Sequence, residues 1–216
     1  MRRPACRQAE TKSFLTSPLR LAQTVEANNT NYMKKSIIIL TTIILFVLPQ
    51  IVTSQSKSFV PADFKVPDTL ENQQFRIRML TVNDVVKDYD AVMTSISHLQ
   101  EMFYPVWNWP TENLSFEQDL IDLGWHQKEF QMRSSFAYTV VSLDESQVLG
   151  CLYIEPSKKA DFDAEIYMWV RQSEVANGLD SILFSTVKKW IDNEWTFKNP
   201  AYPIREISLE KWMSMK

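Results

Sequence analysis

Ala164-Glu165-Ile166-Tyr167-Met168-Trp169-Val170 is a run with strand character, and the residues behind it change period. From Arg171 to Asn177 the chain is short and polar. It then passes Gly178 and places Leu179, Ile182, Leu183, Val187 and Ile191 on one face of a helix reaching Trp195. A strand that enters a helix this way presents backbone N–H groups at the helix start, where a phosphate is favoured. The same pattern also describes an ordinary strand-to-helix connection. The surrounding elements decide between the two.

Immediately upstream, Phe136–Val141 and Val148–Ile154 carry the aromatic and β-branched residues of strands, and the turn Leu143–Gln147 between them predicts an antiparallel hairpin. Gly150 in the second strand marks a bulge or the close approach of another backbone. Ser115-Phe116-Glu117-Gln118 is a capping box, opening a helix with Phe116, Leu120, Leu123, Gln127 and Phe130 along one side. Further upstream, Phe75–Met79 alternates apolar and basic residues as a half-buried strand does. Asn83 or Asp84 caps a helix with the stripe Val85, Tyr89, Val92, Met93, Ile96 and Leu99.

The proline-interrupted aromatic loop Phe103–Pro110 either covers the core or lines a ligand pocket. Residues 55–72 read as an irregular lead-in, and Glu206–Leu209 as a short last strand. The order is β-α-α-β-β-β-α-β, an α+β class with a mixed, mostly antiparallel sheet flanked by helices.

A hydrophobic content of 45% supports one sizeable core, and three glycines leave little material for glycine-rich phosphate loops. Cys6, Cys151, His98 and His126 stand apart, so neither a disulfide framework nor a metal site is expected. Met33-Lys34-Lys35, the apolar run Ile37–Leu48, Pro49 and Val52-Thr53-Ser54 make a secretory signal peptide with Met33 as the start and cleavage at Ser54–Gln55. The apolar run is short of the ~20 residues a membrane span needs, so no stable span is expected after cleavage. Residues 1–32 are then a non-native upstream extension, and the mature protein is exported, periplasmic or secreted. Residues 1–54 hold seven of the 23 basic and two of the 26 acidic side chains, which leaves the remainder at a formal charge of −8. Such a balance argues against nucleic-acid binding.

With this element order, residues 73–216 resemble the GCN5-related N-acetyltransferases (GNAT superfamily). The resemblance rests on Phe75–Asp84 as first strand, Leu149–Ile154 in the hairpin and the strand–turn–helix from Ala164. It implies acetyl-CoA as co-substrate, its pyrophosphate at the start of the long helix, and a small-molecule or peptide amine as acceptor. The family pattern Gln/Arg-x-x-Gly-x-Gly/Ala falls on Val175, Ala176, Asn177, Gly178, Leu179 and Asp180, so Gly178 is the one retained signature position. Met168, Trp169 and Val170 complete the implied cofactor site. Asp180, with Glu174 nearby, is expected to repel the pyrophosphate. Glu165 is the implied catalytic base, the alternative being a solvent-facing strand carboxylate. His126 either faces the acceptor cleft or lies on an exposed helix face. The tyrosine acid of the family has no counterpart that the sequence identifies.

Two functions follow from this reading. One is transfer of an acetyl group from acetyl-CoA to an amine; the other is an exported, catalytically degenerate protein of the same fold that binds a ligand through the Phe103–Trp109 cleft. A third is a structural, envelope-associated protein. The sequence leaves the oligomeric state open. N-terminal sequencing of the protein from its native host should return Gln55; an intact Met1 would overturn the assignment of residues 33–54.

Overall fold

The computed structural model describes residues 58–104 and 107–215. The expected signal peptide and upstream extension lie outside them. Among the described residues no helix is long and apolar enough to cross a membrane.

Six strands form one sheet in the order β1-β2-β3-β4-β5-β6: β1 (Thr69–Glu71), β2 (Arg76–Met79), β3 (Phe136–Val141), β4 (Val148–Pro156), β5 (Ala164–Val170) and β6 (Pro200–Ala201). Every neighbouring pair is antiparallel except β5–β6. The helices are α1 (Val85–Met93), α2 (Ile96–Phe103), α3 (Phe116–Met132), α4 (Gln172–Val175), α5 (Leu179–Glu194) and α6 (Leu209–Ser214). This is the α+β arrangement expected from the sequence, with a mostly antiparallel sheet flanked by helices.

Alternation along the strands divides the molecule into two apolar layers. Phe136, Tyr138, Val140, Leu152, Ile154, Ile166, Met168 and Val170 pack with Leu179, Leu183, Val187 and Ile191 of α5. On the opposite face Val141, Cys151 and Trp169 meet Ala91, Val92, Leu99 and Phe103 from α1 and α2. The Val148–Val170 hairpin is held in register by Gly150: a Cβ there would sit 2.0 Å from the Trp169 carbonyl oxygen. Both sequence readings of this glycine apply: the β5 backbone approaches closely, and the β3–β4 register shifts beside it, from Val140 opposite Gly150 to Val141 opposite Val148.

Four boundaries differ from the sequence reading. The lead-in is not irregular throughout, because Asn72 Oδ1 accepts from the Gln74 and Phe75 amides at 2.8 and 3.0 Å and folds Thr69–Glu71 back as β1. The helix read as continuous to Leu99 breaks at Thr94–Ser95, where Thr94 Oγ1 donates back to the Asp90 carbonyl at 2.6 Å. Asp84 does not cap forward; its carboxylate accepts from the Thr81 amide at 3.0 Å and from Arg78 at 2.7 and 3.0 Å. The last strand is Pro200–Ala201, not Glu206–Leu209. Ser208 Oγ accepts from the Lys211 amide at 3.3 Å, and this cap starts α6 where a strand was expected.

The contact at Gly150 leaves no room for a methyl group. Gly150→Ala should cost about 2–3 kcal/mol in urea unfolding, and an unchanged midpoint would show that β4 and β5 can part without loss.

Candidate functional site

The sheet face that carries Cys151, Tyr153 and Glu155 of β4 and Glu165, Tyr167 and Trp169 of β5 is not filled by helices along its whole length. At the Glu155 end a cavity of about 740 Å³ opens between this face and α3. Its volume lies within the usual range for small-molecule sites, about 300–1,000 Å³. Three cross-strand pairs on this face are Cys151 with Trp169, Tyr153 with Tyr167, and Glu155 with Glu165. Two carboxylates directly opposite each other oppose strand pairing, so the last pair is not explained by stability.

Glu165 is held in place. Its Oε1 accepts from Ser157 Oγ at 3.0 Å and its Oε2 from the Tyr167 hydroxyl at 2.9 Å. The Tyr167 oxygen in turn accepts from Trp212 Nε1 at 3.0 Å, so α6 closes one side of the cavity. Burial pushes the Tyr167 phenol well above its ordinary pKa and keeps it a donor. Among the described residues Glu155 has no such donors. Burial first, then Glu129 and Glu165, raise its carboxyl to about 7. Neighbouring acids are thereby placed in different roles, one anchored by donors and one exchanging its proton near neutrality.

The facing wall comes from α3. Its sequence pattern suggested an apolar stripe, but Phe116 and Leu120 are 38% and 40% exposed while Asp119 is 3% exposed. The helix instead turns Asp119, Asp122, His126 and Glu129 toward the cavity. These positions have the i, i+3, i+7, i+10 spacing of one helical face. That polar stripe was the missed signal, hidden by apolar neighbours that turn outward. The capping box is real at Ser115, whose Oγ accepts from the Gln118 amide at 3.1 Å. The Gln118 side chain, however, donates to Asp122 at 2.8 Å.

Burial raises Asp119 to about 6, with Asp122 adding to the shift. Asp88 of α1 reaches about 7, through burial and the nearby Asp119, although Cys151 Sγ donates to it at 3.3 Å. His126 lines the cavity beside Tyr153, with ring centroids 5.1 Å apart, and burial lowers its pKa so that the neutral imidazole is favoured. Aromatic walls come from Trp107, Trp109, Trp125 and Trp212. Trp107 packs on Tyr167 at 4.7 Å between centroids. The Phe103–Trp109 segment therefore both covers the core, through buried Phe103, and lines a cavity.

The residues implied for acetyl-CoA lie at the other end of β5. Met168 and Val170 face the α5 layer, Trp169 faces the helices on the opposite side, and Leu179 is buried in the α5 core. Val175 is exposed and ends the short helix α4; Ala176 and Asn177 lead to Gly178, which caps α5 in the left-handed region at φ +73°. Among the described residues nothing lies within 4 Å of a Cβ built on Gly178. Asp180 is not the free charge that the sequence suggested. Arg205 donates to both of its oxygens, at 2.5 and 2.7 Å, and Arg205 Nη2 also donates to the Met168 carbonyl at 3.0 Å. The amide of Gln172 is tied to Ser95 Oγ at 2.9 Å, so the break between α1 and α2 anchors the start of this segment.

No family model matches the chain, and no curated protein matches it in sequence. Solved structures of similar fold include a ribosomal-protein-S5-alanine acetyltransferase from Vibrio fischeri, at 14% identity and TM-score 0.48, covering 58% of this chain and 67% of that one. The ribosomal α-N-protein acetyltransferase RimL in complex with coenzyme A gives 17% identity and TM-score 0.47, covering 59% and 71%. The microcin C7 self immunity acetyltransferase MccE, in complex with acetyl-CoA and AMP, gives 10% and 0.44, covering 60% and 71%. Each is a likeness of fold at low identity.

The cavity carboxyls have a thermodynamic consequence. Asp88, Asp119 and Glu155 are raised above their ordinary values, so the folded state holds these protons more tightly than the unfolded chain does. Their contribution to stability is complete at low pH and is lost as pH rises through about 6 to 7. Asp119→Asn should therefore raise Tm by about 2–4 °C near neutral pH and have little effect near pH 4. Calorimetric scans of variant and parent across this range check it, and the same Tm difference at both pH values would contradict it.

Proposed function

We propose that the domain is a GNAT-like N-acyltransferase that moves an acetyl group from acetyl-CoA to an amine held in the β4–β5–α3 cavity. The observation that carries this reading is the cross-strand Glu155–Glu165 pair, whose Glu165 lies on the strand that runs on to Gly178. An ammonium ion is attracted to the pair, and Glu155, poised near neutrality, takes its proton. Glu165, held by the donors from Ser157 and Tyr167, orients the amine. The base of this proposal is thus Glu155, with Glu165, the residue the family resemblance implied, beside it as the anchor.

The residues around Gly178 fit the phosphate end of acetyl-CoA. Space is open at Gly178, the cap contributes no side chain that would compete for the first amides of α5, and Arg205 offsets the Asp180 charge. Amides of this first turn, with Ala176 and Asn177 before it, would hold the pyrophosphate, while the Gly178 amide donates to the Val175 carbonyl at 3.1 Å. When bound, the donor supplies a thioester-activated acetyl group.

A second reading is favoured by one contact. Arg205 occupies the Met168 carbonyl on the edge of β5, beyond the two residues at which β6 pairs. A donor lying along that edge would compete with this side chain. If Arg205 is not displaced, the protein is a binding protein of the same fold that uses the aromatic cavity alone. The export expected of residues 33–54 would take the protein away from the cytosolic acetyl-CoA pool, in accord with this alternative.

Titration calorimetry of the full chain with acetyl-CoA and with CoA separates the two. Acyl transfer requires heat with both, and kcat/KM rising with pH through about 7. Glu155→Gln should remove that rise and lower kcat by about 10²–10⁴-fold. Absence of heat at millimolar cofactor would reject the first reading.

A further inference from the structure

The same cavity carries an observation that the acyl-transfer reading does not use. Its carboxyl groups fall into two sets on opposite walls. Glu155 and Glu165 lie side by side on the sheet, near Glu129. Asp119 and Asp122 lie on α3, near Asp88. Against these the lining offers Lys158, Lys159 and a His126 favoured in its neutral form. Lys159 is already engaged, donating to the Met215 carbonyl at 2.8 Å and lying 4.8 Å over the Trp212 ring.

Asp119 gives this cluster a direction. It is 3% exposed, and among the described residues its Oδ2 has no hydrogen-bond partner although it lines the cavity. A buried carboxylate oxygen without a donor is costly, and the residue is retained on a face where an apolar side chain would pack. His126 Nδ1 is similarly buried and unpartnered in the same cavity. Among the described residues no group of three or more His, Cys, Asp or Glu is placed to hold a metal ion. A bound cation that suits both walls is therefore organic, with donors at its ends and an apolar stem for the tryptophans between them.

We propose that the cavity binds a linear aliphatic diamine as its diammonium ion, with one ammonium at Glu155 and Glu165 and the other at Asp119 and Asp122. One ammonium supplies the donor that Asp119 Oδ2 lacks, and the other donates to Glu155 beside the anchored Glu165. The methylene chain lies against Trp107, Trp125 and Trp212. The inference shares its cavity with the acyl-transfer reading but needs no cofactor, so either can fail without the other.

Titration calorimetry of the full chain, without acetyl-CoA, tests it with the series from 1,3-diaminopropane to 1,6-diaminohexane against butylamine and 1,4-butanediol. The expected result is an optimum chain length, binding at least tenfold weaker for butylamine, and no heat for butanediol. Diamine affinity should fall as pH is lowered from about 7.5 to about 5.5, because protonation removes the charges that hold the ligand. Asp119→Asn and Glu155→Gln, on opposite walls, should each weaken the best diamine at least tenfold and bring it toward butylamine. No heat from any diamine at millimolar concentration, equal binding of butylamine, or unchanged affinity in both folded variants overturns the proposal. Tighter binding of a lysine-containing peptide than of every free diamine would overturn the small-molecule assignment.

Discussion

The antiparallel pairing of β4 with β5 is the constraint on which the other features rest. Its register runs from Gly150 opposite Val170 to Pro156 opposite Ala164. Because side chains alternate, a slip of one residue would exchange the two faces of the sheet. Ile154, Ile166 and Met168 would leave the α5 core, and Glu155 and Glu165 would enter it. Gly150 opposes such a slip sterically, since only a residue without Cβ tolerates the Trp169 carbonyl at this distance. One close backbone contact thus helps to fix the core and the carboxylate pair together.

The cavity departs from what stability alone would favour. A like-charged cross-strand pair, an unpartnered Asp119 oxygen and a second buried aspartate at Asp88 all weaken the ligand-free fold. They are supported by rigid surroundings: the donors to Glu165 from Ser157 and Tyr167, the Trp212 contact from α6, and the Ser115 cap that sets the start of α3. Local cost held in place by over-determined structure is characteristic of functional sites.

At the other end of β5, ionic pairing changes how the strand-to-helix segment is understood. Asp180 read in sequence as a repulsive charge at a phosphate site, yet Arg205 lies against it. Arg205 belongs to the turn that follows β6, in a segment the sequence suggested would lead directly into a strand. Its guanidinium satisfies Asp180 and the Met168 carbonyl together, linking α5, β5 and the chain after β6. Gly178 keeps the left-handed cap that a glycine favours.

The sequence by itself determined the elements whose cause is local. The aromatic and β-branched run Phe136–Val141 and period 3.6 from Leu179 encode burial directly, and Ser115 encodes a cap through its own hydroxyl. Those signals also sufficed for the order of the principal strands and helices and for the α+β class. Glu165 was a candidate because the family resemblance implies a carboxylate base on that strand, and His126 because an isolated histidine stands out. Tertiary structure decided what depends on partners far along the chain. The rotation of α3 that buries Asp119 in place of Leu120 is set by packing on the sheet, and the Glu155–Glu165 pair exists only through hairpin register. The neutralisation of Asp180 needs Arg205, 25 residues away. Periodicity reports which residues share a face, but not which face meets the cavity; that choice is made by summed contacts between elements.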